Sequence, residues 1–460
     1  MKGALVGVLD VGKSHTRLLI VDSGSGAVVW RAECASVSVV RDGLRQLDVQ
    51  RVESWLLECL REAPEKHRIQ VIVPVAHGAA AVLLDASGNV LAAPDYEDPE
   101  LETVADAYRR ERDPFETTYS PFLPAGLNLG RQLFYLQTQR PRLWARCEHI
   151  LLHPQYWAWR LARALASEVT SLGCHTDLWN PGLRDFSPLA ERSGWAGKMP
   201  SLRSAFDVLG VLASDVTART GLDAECQVLC GIHDSNASYY GHLVDRPPEQ
   251  PFAVISSGTW TIAMARGVDL ARLQSQWDML ANVDALGSPI GTARFMGGRE
   301  YEVIAGADGT RAEPTFAALD TLVARDVMAL SSFVDAGGPF GPRRGELLND
   351  SGLDAVERAT LASLYCALVT DLMLERLGAR GAVVIDGPLA WNPVFCALLA
   401  TSDAAREIVR SGGHAGTAYG AFRLAGGAAS SVTSARVQPL DEKKLLTYRD
   451  VWRKRASVAL

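Results

Sequence analysis

The sequence predicts an α/β protein made of two similar halves. Strand and helix patterns alternate along the chain, as in a layered α/β fold. A charged, proline-rich stretch at 245–251 (DRPPEQP) is the best candidate for a domain boundary. Both halves open with a strand, a turn of small residues and a second strand: LDVGKSHTRLLIVD near the start and VISSGTWTIAMAR after the boundary. The alignment of Gly12 with Gly258 favours an internal duplication, although two unrelated glycine hairpins would also fit.

The individual elements follow from hydrophobic periodicity and turn residues. Three strands joined by tight turns come first, and a helix and two more strands follow before the regular alternation begins. The tail at 441–460 is polar and predicts a terminal helix with a frayed end. The early segments are strands at 4–10, 17–22 and 27–32, a helix at 52–61, and strands at 69–75 and 80–85.

Composition narrows the function classes. The 460 residues give room for two domains, and the net charge of −7 argues against a nucleic-acid partner. The eight cysteines are scattered without a C-x-x-C pair, so a zinc site is a weak alternative. Without a signal-peptide pattern or a run of ~20 apolar residues, we expect no membrane association and a cytoplasmic protein with reduced thiols.

The segment Gly7–Ser14 (GVLDVGKS) matches a P-loop pattern literally, but its context does not fit. A P-loop needs a strand before its first glycine and a helix after its last residue. Here Gly7 lies within the predicted strand, and HTRLLIVD after Ser14 predicts another strand. The P-loop interpretation is therefore rejected.

The same residues make sense as a phosphate-binding hairpin. Gly12 permits close approach of a phosphate, and Lys13, Ser14 and Thr16 can donate hydrogen bonds to its oxygens. Asp10 can hold Mg²⁺ directly or through water. An ordinary hairpin with a solvated lysine is the alternative.

Several segments, in order and spacing, resemble the FGGY family of carbohydrate kinases, within the sugar kinase/actin/Hsp70 superfamily. The resemblance covers most of the chain and is closest to the rhamnulose and fuculose kinase branch. Its carriers, besides the first hairpin, are 75–91 (VAHGAAAVLLDASGNVL), 149–173, 229–243 (LCGIHDSNASYYGHL), 254–263 (VISSGTWTIA), 383–400 and 416–427.

The resemblance implies two actin-like (ribonuclease H-like) ATPase domains with a central interdomain cleft. It implies a sugar- and phosphate-binding domain at 1–246 and an ATP-binding domain at 251–445. The expected activity is ATP-dependent phosphorylation of a ketose, deoxyketose or polyol, with ATP and Mg²⁺ as cofactors. The resemblance allows a homodimer.

Site residues follow by position in these segments. Asp234 matches the catalytic base, although an aspartate before Ser-Asn-Ala is also a good helix N-cap. Three residues of the second hairpin would clamp phosphate, and three of a later strand–helix turn would hold the nucleoside; plain turns are the alternative. These residues are Ser257, Gly258 and Thr259, then Gly387, Pro388 and Asn392.

The sugar side is expected at His77, Gly78, Gln155 and Tyr156, beside Asp234. Core packing is the competing role for the histidine and the aromatic residues. The family's W-x-D-x-R motif appears as Tyr96-Glu97-Asp98-Pro99-Glu100, and Ala79-Ala80 follows His77-Gly78. These departures leave a sugar-binding regulator or pseudokinase as an alternative function. An actin- or Hsp70-like ATPase acting on a protein is a third, but it would not need Asp234.

Overall fold

The computed structural model describes residues 3–247, 249–334, 337–341, 343–403, 405–412, 416–427, 434–440 and 443–456. By internal contacts the chain divides into two units. The first is Met1–Asp245 with Ala281–Pro289 and Ala415–Ser431, and the second is Arg246–Leu280 with Ile290–His414 and Val432–Leu460.

The first unit contains fourteen named strands and most of the shorter helices. Its strands are β1 Leu5–Val11, β2 His15–Asp22, β3 Val28–Ala35, β4 Ser38–Arg41, β5 Leu44–Leu47, β6 Ile69–Ala76, β7 Ala81–Leu84, β8 Val90–Ala92, β9 His149–Leu152, β10 Trp179–Asn180, β11 Asp185–Phe186, β12 Val208–Val211, β13 Gln227–Leu229 and β14 Ile232–His233. Its helices are α1 Val49–Glu62, α2 Ala105–Glu111, α3 Phe115–Thr118, α4 Leu129–Gln139, α5 Pro141–Trp144, α6 His153–Ala162, α7 Val169–Leu172, α8 Pro188–Arg192, α9 Ser214–Thr220 and α10 Asp234–Leu243, with 3₁₀ turns at 66–68, 99–104 and 196–198.

The remaining elements lie later in the chain. The strands are β15 Phe252–Ser257, β16 Thr261–Arg266, β17 Met279–Val283, β18 Pro289–Phe295, β19 Met328–Leu330, β20 Glu346–Leu348, β21 Ala382–Asp386, β22 Glu407–Arg410 and β23 Ala435–Arg436. The helices are α11 Gly297–Gly309, α12 Phe316–Ala324, α13 Ala355–Leu377, α14 Pro393–Ser402, α15 Thr417–Leu424 and α16 Lys443–Arg455, with 3₁₀ turns at 270–272, 275–277 and 388–391. Helix α15 packs in the first unit, where a Cβ on Gly420 would lie 1.7 Å from the Ala237 carbonyl oxygen of α10.

The two units are built on sheets that share the arrangement of six strands, and β17 extends the second sheet beyond β18. In the first, β3, β2 and β1 are antiparallel neighbours, β6 and then β13 run parallel to β1, and β12 closes the edge antiparallel. In the second, β18, β16 and β15 are antiparallel, β21 and β22 run parallel to β15, and β23 is antiparallel. This shared order supports the internal duplication predicted from the hairpins.

Several sequence predictions are confirmed with small shifts in their ends. Strand β2 begins directly after Ser14 and pairs antiparallel with β1, so no helix follows the glycine turn and the rejection of a P-loop was correct. Helix α1 starts three residues earlier than expected because Asp48 accepts a hydrogen bond from the backbone amide of Arg51. The hairpin of β4 and β5 was not predicted.

The described residues contain no helix long and apolar enough to span a bilayer. Within the same ranges, no group of three or more histidine, cysteine or acidic side chains is arranged to hold a metal ion. All eight cysteines are free thiols.

Candidate active site

Three parallel strands of the first unit bring polar side chains to one edge of its sheet. Strands β1 and β14 both pair with β6, so that Asp10 aligns with Val75 and His233 with Ala76. Asp10, His77 and Asp234 therefore lie at the carboxyl ends of three neighbouring strands. Open α/β sheets bind their ligands at such an edge.

Asp10 is a buried carboxylate near a second one. Burial raises its pKa, the charge of Asp234 raises it further, and Arg17, with Nη1 3.9 Å from Oδ2, lowers it; the result is a pKa of about 7. A buried carboxylate under repulsion from a neighbour is well suited to a divalent cation, which would relieve that repulsion. Mg²⁺ needs only one or two protein carboxylates because phosphate oxygens and water complete its shell. The residues present therefore fit Mg²⁺.

Asp234 lies where β14 gives way to α10. It is the first residue of that helix, and the capping position belongs to His233, so the N-cap interpretation of Asp234 was wrong. Among the described residues, the polar partners of its carboxylate contact Oδ1: the Ser235 backbone amide at 2.6 Å, the Ser235 hydroxyl at 3.3 Å and His233 Nε2 at 3.2 Å. The side chain is 29% exposed, and Oδ2 is the oxygen that these partners leave for a ligand.

His77 follows β6 and packs against two aromatic rings. Its ring meets His153 edge-on at 4.6 Å and Tyr96 at 5.8 Å between centroids. Burial lowers its pKa, which keeps the ring neutral, and Nδ1 donates to the Gly78 carbonyl oxygen at 2.9 Å. Nε2 of His77 is then an acceptor, so this histidine would accept a hydrogen bond from a hydroxyl and not donate one.

Gly78 is small because another side chain occupies the adjacent space. A Cβ at this position would lie 2.7 Å from Nε2 of His233 and 3.5 Å from Sγ of Cys174. The glycine is therefore explained by a protein contact, independently of any sugar.

The first hairpin is held by a hydroxyl network. Ser36 donates to the Gly12 carbonyl oxygen at 2.8 Å and lies 2.9 Å from the Thr16 hydroxyl, which is fully buried. The Gly12 amide donates to the carbonyl oxygen of His15. Thr16 thus stabilises the hairpin from within, while Ser14 is exposed at its tip.

Lys13 is paired with the segment that replaces the family's W-x-D-x-R motif. Its Nζ lies 2.6 Å from Oδ1 of Asp95, 3.2 Å from Glu97 and 4.9 Å from the centre of the Tyr96 ring. Glu100 is exposed at the start of a 3₁₀ turn that Asp98 caps. The segment therefore contacts the phosphate-type hairpin through Lys13.

Gln155 and Tyr156 are interior residues of α6. Gln155 is fully buried and its Nε2 donates to the carbonyl oxygens of Cys230 and Gly231, just before β14. Tyr156 belongs to the hydrophobic core, with Trp157 and Trp159 against its ring. The structure gives Gln155 a role in holding the strand that ends before Asp234, and gives Tyr156 the packing role that competed with sugar binding.

The second unit contains a cavity of about 620 Å³ at the corresponding edge of its own sheet. It brings together residues from the second hairpin, from the start of α11 and from the turn after β21. The predicted residues that line it are Ser257, Gly258, Thr259, Pro388 and Asn392; Arg299, Tyr301, Glu302 and Thr310 are further lining residues that sequence reasoning missed.

Two of the predicted nucleotide ligands have their side chains occupied. The Ser257 hydroxyl donates to the Asp386 carbonyl oxygen and accepts from the Leu389 amide. Asn392 caps α14 by accepting from the Phe395 amide and donates to the Ser363 hydroxyl. These side chains shape the cavity wall, whereas Gly258 and Thr259 of the same hairpin are exposed.

Glycines set the close approaches around this cavity. Gly387 has φ +80°, and a Cβ there would lie 2.1 Å from the Ser257 carbonyl oxygen. A Cβ at Gly298, at the start of α11, would lie 2.3 Å from the Gly258 carbonyl oxygen. The Gly298 amide donates to the Thr259 carbonyl oxygen. The sequence analysis did not use the Gly297-Gly298 pair, although two glycines directly before a helical pattern could have indicated this part of the site.

Comparison with known proteins agrees with this geometry. Residues 5–241 match the family model described as the FGGY family of carbohydrate kinases, N-terminal domain, and residues 249–434 match the carbohydrate kinase FGGY C-terminal domain. A crystal structure of a carbohydrate kinase from Novosphingobium aromaticivorans is 36% identical, with a TM-score of 0.93 and 100% coverage of both chains.

Two curated relatives are more distant. The L-fuculokinase of Escherichia coli strain K12 is 25% identical over 284 residues, 59% of this chain and 58% of that protein. The rhamnulokinase of Halalkalibacterium halodurans is 25% identical over 269 residues, 55% of this chain and 54% of that protein. The alignments thus span little more than half the length of these relatives. The two family models together cover most of the chain, which belongs to the FGGY family of carbohydrate kinases and shares their two-domain actin-like fold.

Proposed function

We propose that this protein phosphorylates a small sugar, a ketose, deoxyketose or polyol, with ATP as the phosphoryl donor. The observation that carries the proposal is the convergence of Asp10, His77 and Asp234 at the carboxyl ends of β1, β6 and β14. Phosphoryl transfer to an alcohol requires a carboxylate that accepts a proton and a metal ion near it, and Asp234 and Asp10 are the residues that we propose for these two roles.

Asp234 is the proposed catalytic base. Its Oδ1 is held by Ser235 and His233, and Oδ2 would accept the proton of the attacking hydroxyl as the bond to phosphorus forms. Neutral His77, with Nε2 as an acceptor, would orient a neighbouring hydroxyl of the sugar. Asp10 would hold Mg²⁺, which on binding neutralises charge on the phosphate oxygens.

Each domain, taken as 1–246 and 251–445, is proposed to have its own phosphate-binding residues. The second-unit cavity offers Gly258, Thr259 and the start of α11 for phosphates, and the turn at Gly387–Pro388 for the nucleoside. The first hairpin offers Lys13, Ser14 and the backbone of its tip. A cytoplasmic location and a homodimer remain predictions.

A coupled ADP-release screen across ketoses, deoxyketoses and polyols tests this function, with Asp234→Asn as the matched control. We expect sugar-dependent ADP release that excess chelator abolishes. Sugar binding detected by calorimetry without any ADP release would favour the regulator or pseudokinase instead.

A further inference from the structure

We infer that His233, supported by Cys174, is a positioning residue that fixes the orientation of the Asp234 carboxylate through the 3.2 Å contact between its Nε2 and Oδ1. This inference rests on the proposed function of Asp234 as the base. It concerns a buried contact between two segments that are distant in sequence: Cys174 follows α7, and His233 is the last residue of β14.

The geometry places one imidazole nitrogen between a thiol and a carboxylate. Nε2 of His233 lies 3.8 Å from Cys174 Sγ and 3.2 Å from Asp234 Oδ1. Both Cys174 and His233 are nearly fully buried. Gly78 packs against the pair, since a Cβ at this position would lie 2.7 Å from Nε2 of His233 and 3.5 Å from Sγ of Cys174.

The neighbours of the ring determine which nitrogen carries the proton. Asn236 Nδ2 lies 3.1 Å from Nδ1 of His233 and 3.4 Å from the Thr170 carbonyl oxygen, so the amide donates to both and Nδ1 accepts. If the amide were flipped, Oδ1 of Asn236 would face the Thr170 carbonyl oxygen, and two hydrogen-bond acceptors would repel each other. A deprotonated Nε2 would also set its lone pair against the carboxylate of Asp234. Both arguments put the proton on Nε2.

The surrounding charges act in the same direction. Burial by itself lowers the pKa of His233, but the Cys174 thiol and the Asp234 and Glu168 carboxylates outweigh it and raise the pKa. Burial raises the pKa of Cys174, and the imidazoles of His175 and His233 outweigh it and lower the pKa. The charge of His233 in turn contributes to lowering the pKa of His77. The thiol of Cys174 and the carboxylate of Asp234 both lie on the Nε2 side of the ring, so their negative charge favours a proton on that nitrogen.

The backbone of His233 is fixed by a separate chain of hydrogen bonds. Its amide donates to the Thr170 hydroxyl at 3.1 Å, and that hydroxyl donates to the buried carboxylate of Glu168 at 2.5 Å. The ring and the backbone are therefore both restrained, which is what a positioning residue requires.

Four variants test the inference through steady-state kinetics: His233→Leu, His233→Gln, Cys174→Ala and, as a matched buried control, Cys147→Ala. We expect His233→Leu to lower kcat ~100-fold, as a misplaced reacting group does, with the KM for ATP changed less than about twofold. His233→Gln, whose side-chain amide can donate to Asp234, should recover ~10-fold of that loss. Cys174→Ala should lower kcat ~5-fold and Cys147→Ala should leave it unchanged.

The protonation state is read separately by ¹⁵N-histidine NMR of the sugar-free protein, with the His233 signals assigned from their loss in His233→Gln. A proton on Nε2 is expected. A neutral ring protonated on Nδ1, or an unchanged kcat in His233→Leu, would overturn the inference. A wild-type protein that phosphorylates no sugar but carries the Nε2 proton would contradict the proposed function and leave the contact between His233 and Asp234 unaffected.

Discussion

The Nζ of Lys13 lies 2.6 Å from Oδ1 of Asp95, a carboxylate that is fully buried. Asp95 also accepts hydrogen bonds from the Ser38 hydroxyl and the Glu97 amide, and forms an ion pair with Arg45, whose Nε is 3.1 Å from Oδ2. These other partners mean that Asp95 stays satisfied if Lys13 is removed or turns toward a phosphate.

Lys13→Ala should therefore weaken nucleotide binding more than it weakens the fold. We expect the Kd for ATP to rise ~10-fold, because a charge-assisted contact to phosphate is lost, while the KM for the sugar changes less than about twofold. Calorimetry with ATP and steady-state kinetics would measure the two. A raised KM for the sugar with an unchanged Kd for ATP would contradict a phosphate contact and would show that Lys13 acts only through its contacts with Asp95 and Glu97.

Gly78→Ala should impair turnover through His233. The added Cβ would lie 2.7 Å from Nε2 of His233, and a shift of the ring to relieve this clash would disturb its 3.2 Å contact with Asp234. We expect kcat to fall ~10-fold or more. Gly197→Ala is the control, since its Cβ would meet no atom within 4 Å. Equal kcat values in the two variants would contradict the proposed crowding.

Gly298→Ala should affect the nucleotide side. Its Cβ would lie 2.3 Å from the Gly258 carbonyl oxygen and would push the start of α11 away from the second hairpin. We expect the Kd for ADP to rise ~10-fold with little change for the sugar. Nucleotide titration by calorimetry measures this, and an unaltered Kd would remove the α11 terminus from the proposed phosphate site.

Glu168 should make stability depend on pH. Burial raises its pKa to about 7 from 4.5, although hydrogen bonds from Thr170 and Ser171 lower it. Because the folded-state pKa is the higher one, this stabilisation is complete below 4.5 and is lost as the pH rises to about 7. At roughly 1.4 kcal/mol per pKa unit, the loss amounts to about 3 kcal/mol.

Urea unfolding of wild type and Glu168→Gln at each pH measures this effect. Glutamine does not titrate, so the free energy of unfolding of wild type, relative to that of Glu168→Gln, should decline from pH 4.5 to about pH 7. Glu225→Gln, at an exposed position, serves as the control. Parallel pH profiles for wild type and Glu168→Gln would show that Glu168 titrates normally.

Local patterns made the scaffold predictable. The apolar run of β1, the small turn at Gly12 and the following strand are read from adjacent residues, and they predicted a hairpin where a P-loop pattern also matched. The strand-to-helix change at Asp234 was equally local. Its position at the helix start was misassigned by one residue because His233, and not Asp234, has the non-helical backbone of a cap.

Contacts between distant segments were not predictable. Cys174 and His233 are 59 positions apart, and Lys13 and Asp95 are 82 apart, and no periodicity connects them. Thr16 was expected to face phosphate because hydroxyl groups can donate there, but the antiparallel register with Val11 turns it inward to Ser36. Side-chain direction depends on that register, which a single sequence does not specify.

The most direct test of the account is the turnover of Asp234→Asn beside its affinity for ATP. Asparagine keeps an oxygen for His233 and Ser235 but cannot accept the hydroxyl proton. We expect kcat to fall ~10²–10⁴-fold, with the Kd for ATP within about twofold of wild type. A variant that turns over sugar at the wild-type rate would contradict the assignment of Asp234 as the base.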